Sequence, residues 1–299
     1  MTCSSLERPT IKSVGIIGTG TMGTALARAC CLAGFQVHLK GVSDDQTIIA
    51  LETLRLELEQ NFSDDSPAAN GYHSAVDHLR PATCYEDFSD CDIVVEAAVE
   101  DKAVKYEIFL GLGSVLPAGV VIASTTSSIA ITHLAAKTSL PERFIGLHFI
   151  HPVTETQVVE LVRGIATEDR TFELANLFAV QLGKTVIEAA DFPGFIINRI
   201  MLPLINEAVY VLYEGVASVS DIDTALESGA RHSMGPLKLA DFIGLDTCLS
   251  LMQSLHEGLS DTKYRPCPLL VKYVEAGWLG RKTKRGFYDY RSDVATPTR

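Results

Sequence analysis

The sequence predicts an α/β domain of the doubly wound, parallel-sheet kind, followed by an all-α C-terminal domain. Three observations predict it. Short apolar, β-branched runs alternate with helical stretches through the first two thirds of the chain. A glycine-spaced turn joins the first such run to the first helix, and beyond Asp191-Phe192-Pro193-Gly194-Phe195 every periodic segment is helical.

Ser13 to Ile17 is a short buried strand that runs directly into Gly18-Thr19-Gly20-Thr21-Met22-Gly23. A helix from Thr24 closes at Gly34, and a second strand covers Gln36 to Leu39. A Gly-x-Gly-x-x-Gly turn between a strand and a helix permits a tight bend and close approach of a pyrophosphate, which the helix N-terminus attracts. Residues 1–190 are therefore read as a Rossmann domain that binds a dinucleotide, with Gly18, Gly20, Thr21, Met22 and Gly23 at the cofactor. The second strand ends in Lys40-Gly41-Val42-Ser43, where an acid would bind the adenosine ribose of NAD. A cation there, Lys40 with Ser43 beside it, suits a 2′-phosphate, so the cofactor is NAD or NADP.

Asp44 to about Arg80 reads as helical, with an amphipathic helix over Ile48 to Gln60 and a polar break at Ser63 to Pro67. Between Lys40 and Lys102 there is no lysine. Ile93 to Ala98 is a strand, a helix follows from Lys102 to about Leu112, and Val120 to Ala123 is the next strand. Glu100 and Lys105 fall at the carboxyl side of the sheet, where open α/β sheets bind ligands. The run Ser124-Thr125-Thr126-Ser127-Ser128 falls at the same edge; its hydroxyls either cap a helix or touch a substrate.

The next segment pairs Ile145 to Ile150 with Val158 to Val162 around Pro152 and Thr154 to Thr156. An antiparallel hairpin centred near Thr154 sets His148 opposite Glu160 on two apolar strands, where neither polar group is tolerated unless it serves the other. A carboxylate orienting an imidazole is the construction of a general base. His148 and His151, three apart on extended chain, point to different faces, so no metal is expected. A helix over Thr167 to Leu182 and a strand over Thr185 to Glu188 finish the domain, and residues 191–299 form the helical one. Its helices are read at Ile196 to Glu214, Asp221 to Ser228, Pro236 to about Gly258 and Leu269 to Ala276, with apolar faces broad enough for a homodimer interface.

Composition narrows the function classes. The chain of 299 residues is 47% hydrophobic and 21% charged, with a net charge of −12, which excludes a phosphate-driven nucleic-acid binder. No apolar run reaches membrane-spanning length, Met1 to Glu7 lacks signal-peptide architecture, and seven cysteines with no metal spacing read as reduced thiols, so a cytoplasmic protein is expected. The basic run Arg281 to Arg285 is either a solvated turn or a dock for a phosphorylated group.

Taken in order, Gly18 to Gly23, Val95-Glu96-Ala97, Thr126-Ser127-Ser128, Gly146-Leu147-His148-Phe149, Pro193-Gly194-Phe195-Ile196-Ile197-Asn198-Arg199, Met234-Gly235-Pro236 and Gly286-Phe287-Tyr288 resemble the 3-hydroxyacyl-CoA dehydrogenase family. The resemblance spans Val14 to Tyr290. It implies hydride transfer between a nicotinamide cofactor and the 3-hydroxy or 3-keto group of an acyl thioester, usually by a dimer. It places the base on His148, its orienting acid on Glu160, the substrate-oxygen hydroxyl on Ser127, the polarising amide on Asn198, and nicotinamide-ribose contacts on Glu100 and Lys105.

Three positions depart from that family. Thr125 stands for an asparagine, His151 for another asparagine, and Gly41 for the aspartate after the second strand. With the lysine-free segment, which in the family carries lysines toward coenzyme A, they leave the thioester open. The substrate is an acyl-CoA, an acyl group on a carrier protein of a secondary-metabolite pathway, or a small hydroxy acid. A dinucleotide-binding protein without catalysis, structural or sensing, is the reading from a different class.

Overall fold

The computed structural model describes residues 10–60 and 75–298. The predicted polar break at Ser63 to Pro67 lies outside them. The chain divides into two compact units, Met1–Phe192 and Pro193–Arg299.

The first unit is built on one eight-stranded sheet. Its strands are β1 (Ser13–Ile17), β2 (Gln36–Lys40), β3 (Leu79–Pro81), β4 (Ile93–Glu96), β5 (Val121–Ser124), β6 (Phe144–Phe149), β7 (Val158–Arg163) and β8 (Thr185–Ala190). Their order across the sheet is β3-β2-β1-β4-β5-β6-β7-β8, and the first six run parallel. The order reverses between β1 and β4, and the crevice at that switch, beyond the carboxyl ends of the strands, is where doubly wound sheets take their ligands. Helices α1 (Thr21–Leu32), α2 (Asp44–Gln60), α3 (Lys102–Val115), α4 (Ile131–Ala135) and α5 (Asp169–Gln181) connect the strands.

In the first unit one expectation needs correction and one open alternative is decided. Leu79 to Pro81 is a strand, not the end of a helix: it pairs with β2 at the sheet edge, where a proline costs no ladder hydrogen bond. The hydroxyl run after β5 does not cap α4 either. Ala130 holds the N-cap position without a side-chain bond, and both oxygens of the Asp191 carboxylate take the Ile131 and Thr132 amides at 2.8 Å. An acid 60 residues on thus satisfies the helix start.

The hairpin of β6 and β7 follows period-two logic. Ile145, Leu147, Phe149, Val159 and Leu161 belong to one core with Leu174, Ala175 and Phe178 of α5. The even positions therefore face the other way. There Gly146 lets α4 close in, since a Cβ at 146 would stand 2.7 Å from Ile131 Cδ1.

The second unit is helical: α6 (Ile197–Tyr213), α7 (Val219–Thr224), α8 (Pro236–Ile243), α9 (Leu245–Leu259) and α10 (Pro268–Glu275), with a two-stranded ribbon of β9 (Tyr288–Asp289) and β10 (Thr296–Pro297). The single helix expected from Pro236 onward breaks at Gly244, whose φ of 102° lies outside the helical range. Leu202, Ile205, Val209, Leu237, Met252 and Leu270 centre its core. Among the described residues no helix is long and apolar enough to cross a membrane.

Candidate active site

The turn after β1 has the three properties a pyrophosphate cradle needs. Gly18 has φ +124°, and a Cβ on it would stand 2.3 Å from the Ala97 carbonyl oxygen, so the loop bends tightly against the end of β4. A Cβ on Gly23 would lie 2.0 Å from the Gly18 carbonyl oxygen, so α1 sits directly on the loop. Around Gly20 nothing stands within 4 Å of that position. Gly20 is also the N-cap of α1, with extended backbone and no capping side chain, leaving the first-turn amides at Thr21, Met22 and Gly23 to meet an anion. These residues fit a dinucleotide.

At the adenosine side, the Gly41 amide donates to Thr47 Oγ1 at 2.8 Å, and Ser43 Oγ accepts from the Gln46 amide at 3.3 Å at the start of α2. Lys40 Nζ donates to the Thr83 carbonyl at 2.7 Å. A Cβ on Gly41 would stand 3.1 Å from both Thr19 Cγ2 and Thr47 Oγ1.

Beyond the ends of β4 and β5, charged and hydroxyl groups form one cluster. Glu96, wholly buried at the end of β4, takes Lys105 Nζ at 2.6 Å and the Ser124 hydroxyl at 2.6 Å. Lys105 also reaches Glu100 Oε2 at 3.3 Å. Glu100 Oε1 accepts from the Ser127 and Ser128 amides at 3.0 and 3.1 Å. Burial pushes the Glu100 carboxyl up, but Lys105 and the Thr126 and Ser128 donors outweigh it and hold it below the usual range. Sequence reasoning brought Glu100, Lys105 and Ser127 to this edge but missed Glu96; a glutamate ending a Val-Val run was the available signal.

His148 and Glu160 are cross-strand partners on β6 and β7, as the hairpin reading requires, with His148 Nδ1 2.5 Å from Glu160 Oε2. His148 is 5% exposed and Glu160 0%. A carboxylate only accepts, so Nδ1 is the donor of this pair. Asn198 belongs to the second unit, buried in the first turn of α6. Ile196 holds the N-cap position there, so Asn198 is not the cap. His151 is exposed in the turn after β6.

The basic run near the C-terminus is engaged within its own unit. Arg281 lies over Phe242 and Tyr290 at 5.3 and 5.7 Å, Lys282 Nζ meets Asp246 at 2.5 Å, and Arg285 covers Trp278 at 3.7 Å.

Comparison with known proteins finds relatives over almost the whole chain. A family model described as 3-hydroxyacyl-CoA dehydrogenase, NAD binding domain, matches residues 13–192, and one described as 3-hydroxyacyl-CoA dehydrogenase, C-terminal domain, matches 194–290. A 3-hydroxybutyryl-CoA dehydrogenase of Bradyrhizobium diazoefficiens is 56% identical over 97% of this chain and 99% of its own length. A probable 3-hydroxybutyryl-CoA dehydrogenase of Bacillus subtilis is 45% identical over 95% of this chain and 99% of its own. The crystal structure of (S)-3-hydroxybutyryl-CoA dehydrogenase from Ralstonia eutropha superposes with a TM-score of 0.90 at 43% identity, covering 95% of this chain and all of that one. With both family models matched over residues 13–192 and 194–290, the chain belongs to the 3-hydroxyacyl-CoA dehydrogenase family and is an NAD(P)-dependent oxidoreductase.

Proposed function

We propose that this enzyme interconverts a short-chain (S)-3-hydroxyacyl-CoA, 3-hydroxybutyryl-CoA in the first place, and its 3-keto counterpart. The observation that carries the reading is the buried His148–Glu160 pair in a chain 56% identical to a 3-hydroxybutyryl-CoA dehydrogenase. A bound nicotinamide would supply the hydride acceptor for carbon 3 in oxidation and the hydride donor in reduction. His148 Nε2 takes the hydroxyl proton as the C3 hydride leaves, and Glu160 stabilises the resulting imidazolium. In the reverse direction His148 returns that proton to the carbonyl oxygen. Ser127 holds the oxygen throughout, donating to it most strongly when negative charge builds on it, and Asn198 is the amide to which the family resemblance gives the polarising role. Gly18, Gly20, Thr21, Met22 and Gly23 hold the pyrophosphate, and Lys40 and Ser43 meet the adenosine end.

Residues 1–190 serve the cofactor in this reading, and residues 191–299 serve substrate and self-association. The second unit supports a homodimer with exposed apolar side chains at Ile200 (66%) and Val216 (71%) and an apolar cavity of about 360 Å³ lined by Leu204, Ala208, Val211 and Ile222. Light scattering on the eluting protein is expected to give twice the monomer mass.

The decisive assay follows absorbance of NADH and NADPH with acetoacetyl-CoA, its carrier-protein counterpart and small keto acids. Acetoacetyl-CoA is expected to be the best substrate. Turnover confined to the carrier-bound or free acid overturns the coenzyme A assignment and leaves the hydride chemistry standing.

A further inference from the structure

We propose that Asp191 is a positioning residue for the reaction: its carboxylate fixes the far end of the loop that presents Ser127. The inference rests on the reading of Ser127 as the hydroxyl that meets the substrate oxygen.

The first observation is a helix start held from far along the chain although hydroxyls stand just before it. Thr126, Ser127 and Ser128 precede the Ala130 N-cap, yet the Ile131 and Thr132 amides turn to the two oxygens of Asp191, each at 2.8 Å. With five residues, α4 is too short to hold its form on its own hydrogen bonds. Its place depends on what touches it. Ile131 is fully buried and packs against Gly146, and Thr132 Oγ1 accepts from the Ile165 amide at 3.0 Å. Asp191 takes the two amides at the junction with the loop.

The second observation is what delivers this carboxylate. β8 runs parallel to β7, with Glu160 in register with Ile187 and Arg163 with Ala190. Asp191 is the next residue, and the Phe192 amide donates back to the Ala190 carbonyl at 2.8 Å, turning the chain about it. The strand that carries Glu160 therefore also sets where Asp191 stands. Through Asp191 the Ser127 loop is referred to the strand of the catalytic pair, so the group that moves the proton and the group that holds the oxygen share one frame.

The third observation is what this leaves to Ser127. On the cofactor side the Ser127 and Ser128 amides go to Glu100 at 3.0 and 3.1 Å, and the Ile129 amide goes to Thr126 Oγ1 at 3.0 Å. The run is tied at both ends, and among the described residues the Ser127 hydroxyl makes no hydrogen bond. A carboxylate suits the far end because each of its oxygens accepts. An asparagine offers one accepting oxygen and sets its NH2 against the other amide N–H. Released there, α4 shifts and carries Ser127 with it, and misplacing a substrate-holding group by about 1 Å is enough to slow turnover while the fold survives.

The test uses the full-length enzyme and follows kcat for NADH-dependent reduction of acetoacetyl-CoA, the NADH dissociation constant from fluorescence titration, and the thermal midpoint. Asp191→Asn is expected to lower kcat on the order of 10-fold, with NADH binding changed by less than about twofold. Added to Ser127→Ala, it is expected to cost no more than about a further twofold, because both changes remove the same contribution. Equal losses in the two backgrounds, or a lowered midpoint with kcat intact, overturn the proposal. Full activity in Ser127→Ala removes the reading of Ser127 itself, and the inference with it. Ala130→Ser supplies a local cap to the same helix start and keeps the comparison open should Asp191→Asn alone fail to fold. Asp191→Asn combined with Ala130→Ser is expected to regain the midpoint but not kcat. Recovery of both would show that Asp191 serves the helix alone and overturn the proposal.

Discussion

His148 and Glu160 stand directly across from each other on antiparallel strands, Nδ1 2.5 Å from Oε2, both buried, on the sheet face opposite the core of α5. The carboxylate can only accept, so Nδ1 is the donor of the pair. His148→Gln keeps the volume and removes the base. Turnover of acetoacetyl-CoA is expected to fall on the order of 10²-fold or more, with NADH binding and the thermal midpoint little changed. Retained turnover takes His148 out of the mechanism.

Glu160→Gln probes the charge behind the base. The amide can still contact Nδ1, but it cannot compensate an imidazolium beside a buried side chain. A fall in kcat with an unaltered thioester KM is expected, since the charge is needed only once the proton has moved. A change in KM alone would place Glu160 in substrate binding instead.

The glycine cradle predicts a steric effect. Gly23→Ala brings a methyl group to 2.0 Å from the Gly18 carbonyl oxygen, and backbone on both sides must give way. Weaker NADH binding in fluorescence titration and a lowered thermal midpoint should appear together. An unaltered NADH affinity would show that α1 does not need to sit on the loop.

At the adenosine end, Lys40 and Ser43 occupy ground where the family carries an aspartate at position 41. Lys40→Ala is expected to lower kcat/KM for NADPH and leave that for NADH in place. Turnover with NADH equal to or better than with NADPH in the unmodified enzyme would remove the 2′-phosphate role.

Asp241 in the helical unit carries a pH prediction. Burial raises its carboxyl from 3.8 to about 6 against the opposing effect of the Tyr288 and Phe287 amides, which donate to it at 2.9 Å each. A raised carboxyl binds its proton more tightly when folded, so its contribution is fullest below the unfolded pKa and is lost as pH rises toward 6. Asp241→Asn does not titrate. The stability of that variant relative to the parent should improve between pH 4 and pH 8 in denaturant titrations, and a constant difference would refute the assignment.

Much of the site was legible because its determinants are local. Gly18 to Gly23 are six consecutive residues between a strand and a helix, and the His148–Glu160 register follows from one short turn once both strands are recognised. Leu79 to Pro81 was not legible: three residues with a proline carry too little pattern, and only pairing with β2 makes them a strand. The hydroxyl run after β5 was ambiguous for a related reason. Whether it caps α4 or faces a ligand depends on Asp191, 60 residues beyond the helix start, which occupies the cap.

By itself, then, the sequence determined the two-unit architecture, the dinucleotide cradle and the buried histidine–carboxylate pair, because hydrophobic period, glycine spacing and hairpin register act between near neighbours. Only the tertiary structure decided that Lys105 answers to Glu96, that Glu100 gathers Thr126, Ser127 and Ser128 across 26 to 28 residues, and that Arg281, Lys282 and Arg285 pack within their own unit. The partner of a charge is set by which groups share its burial, and burial is a property of the folded sheet.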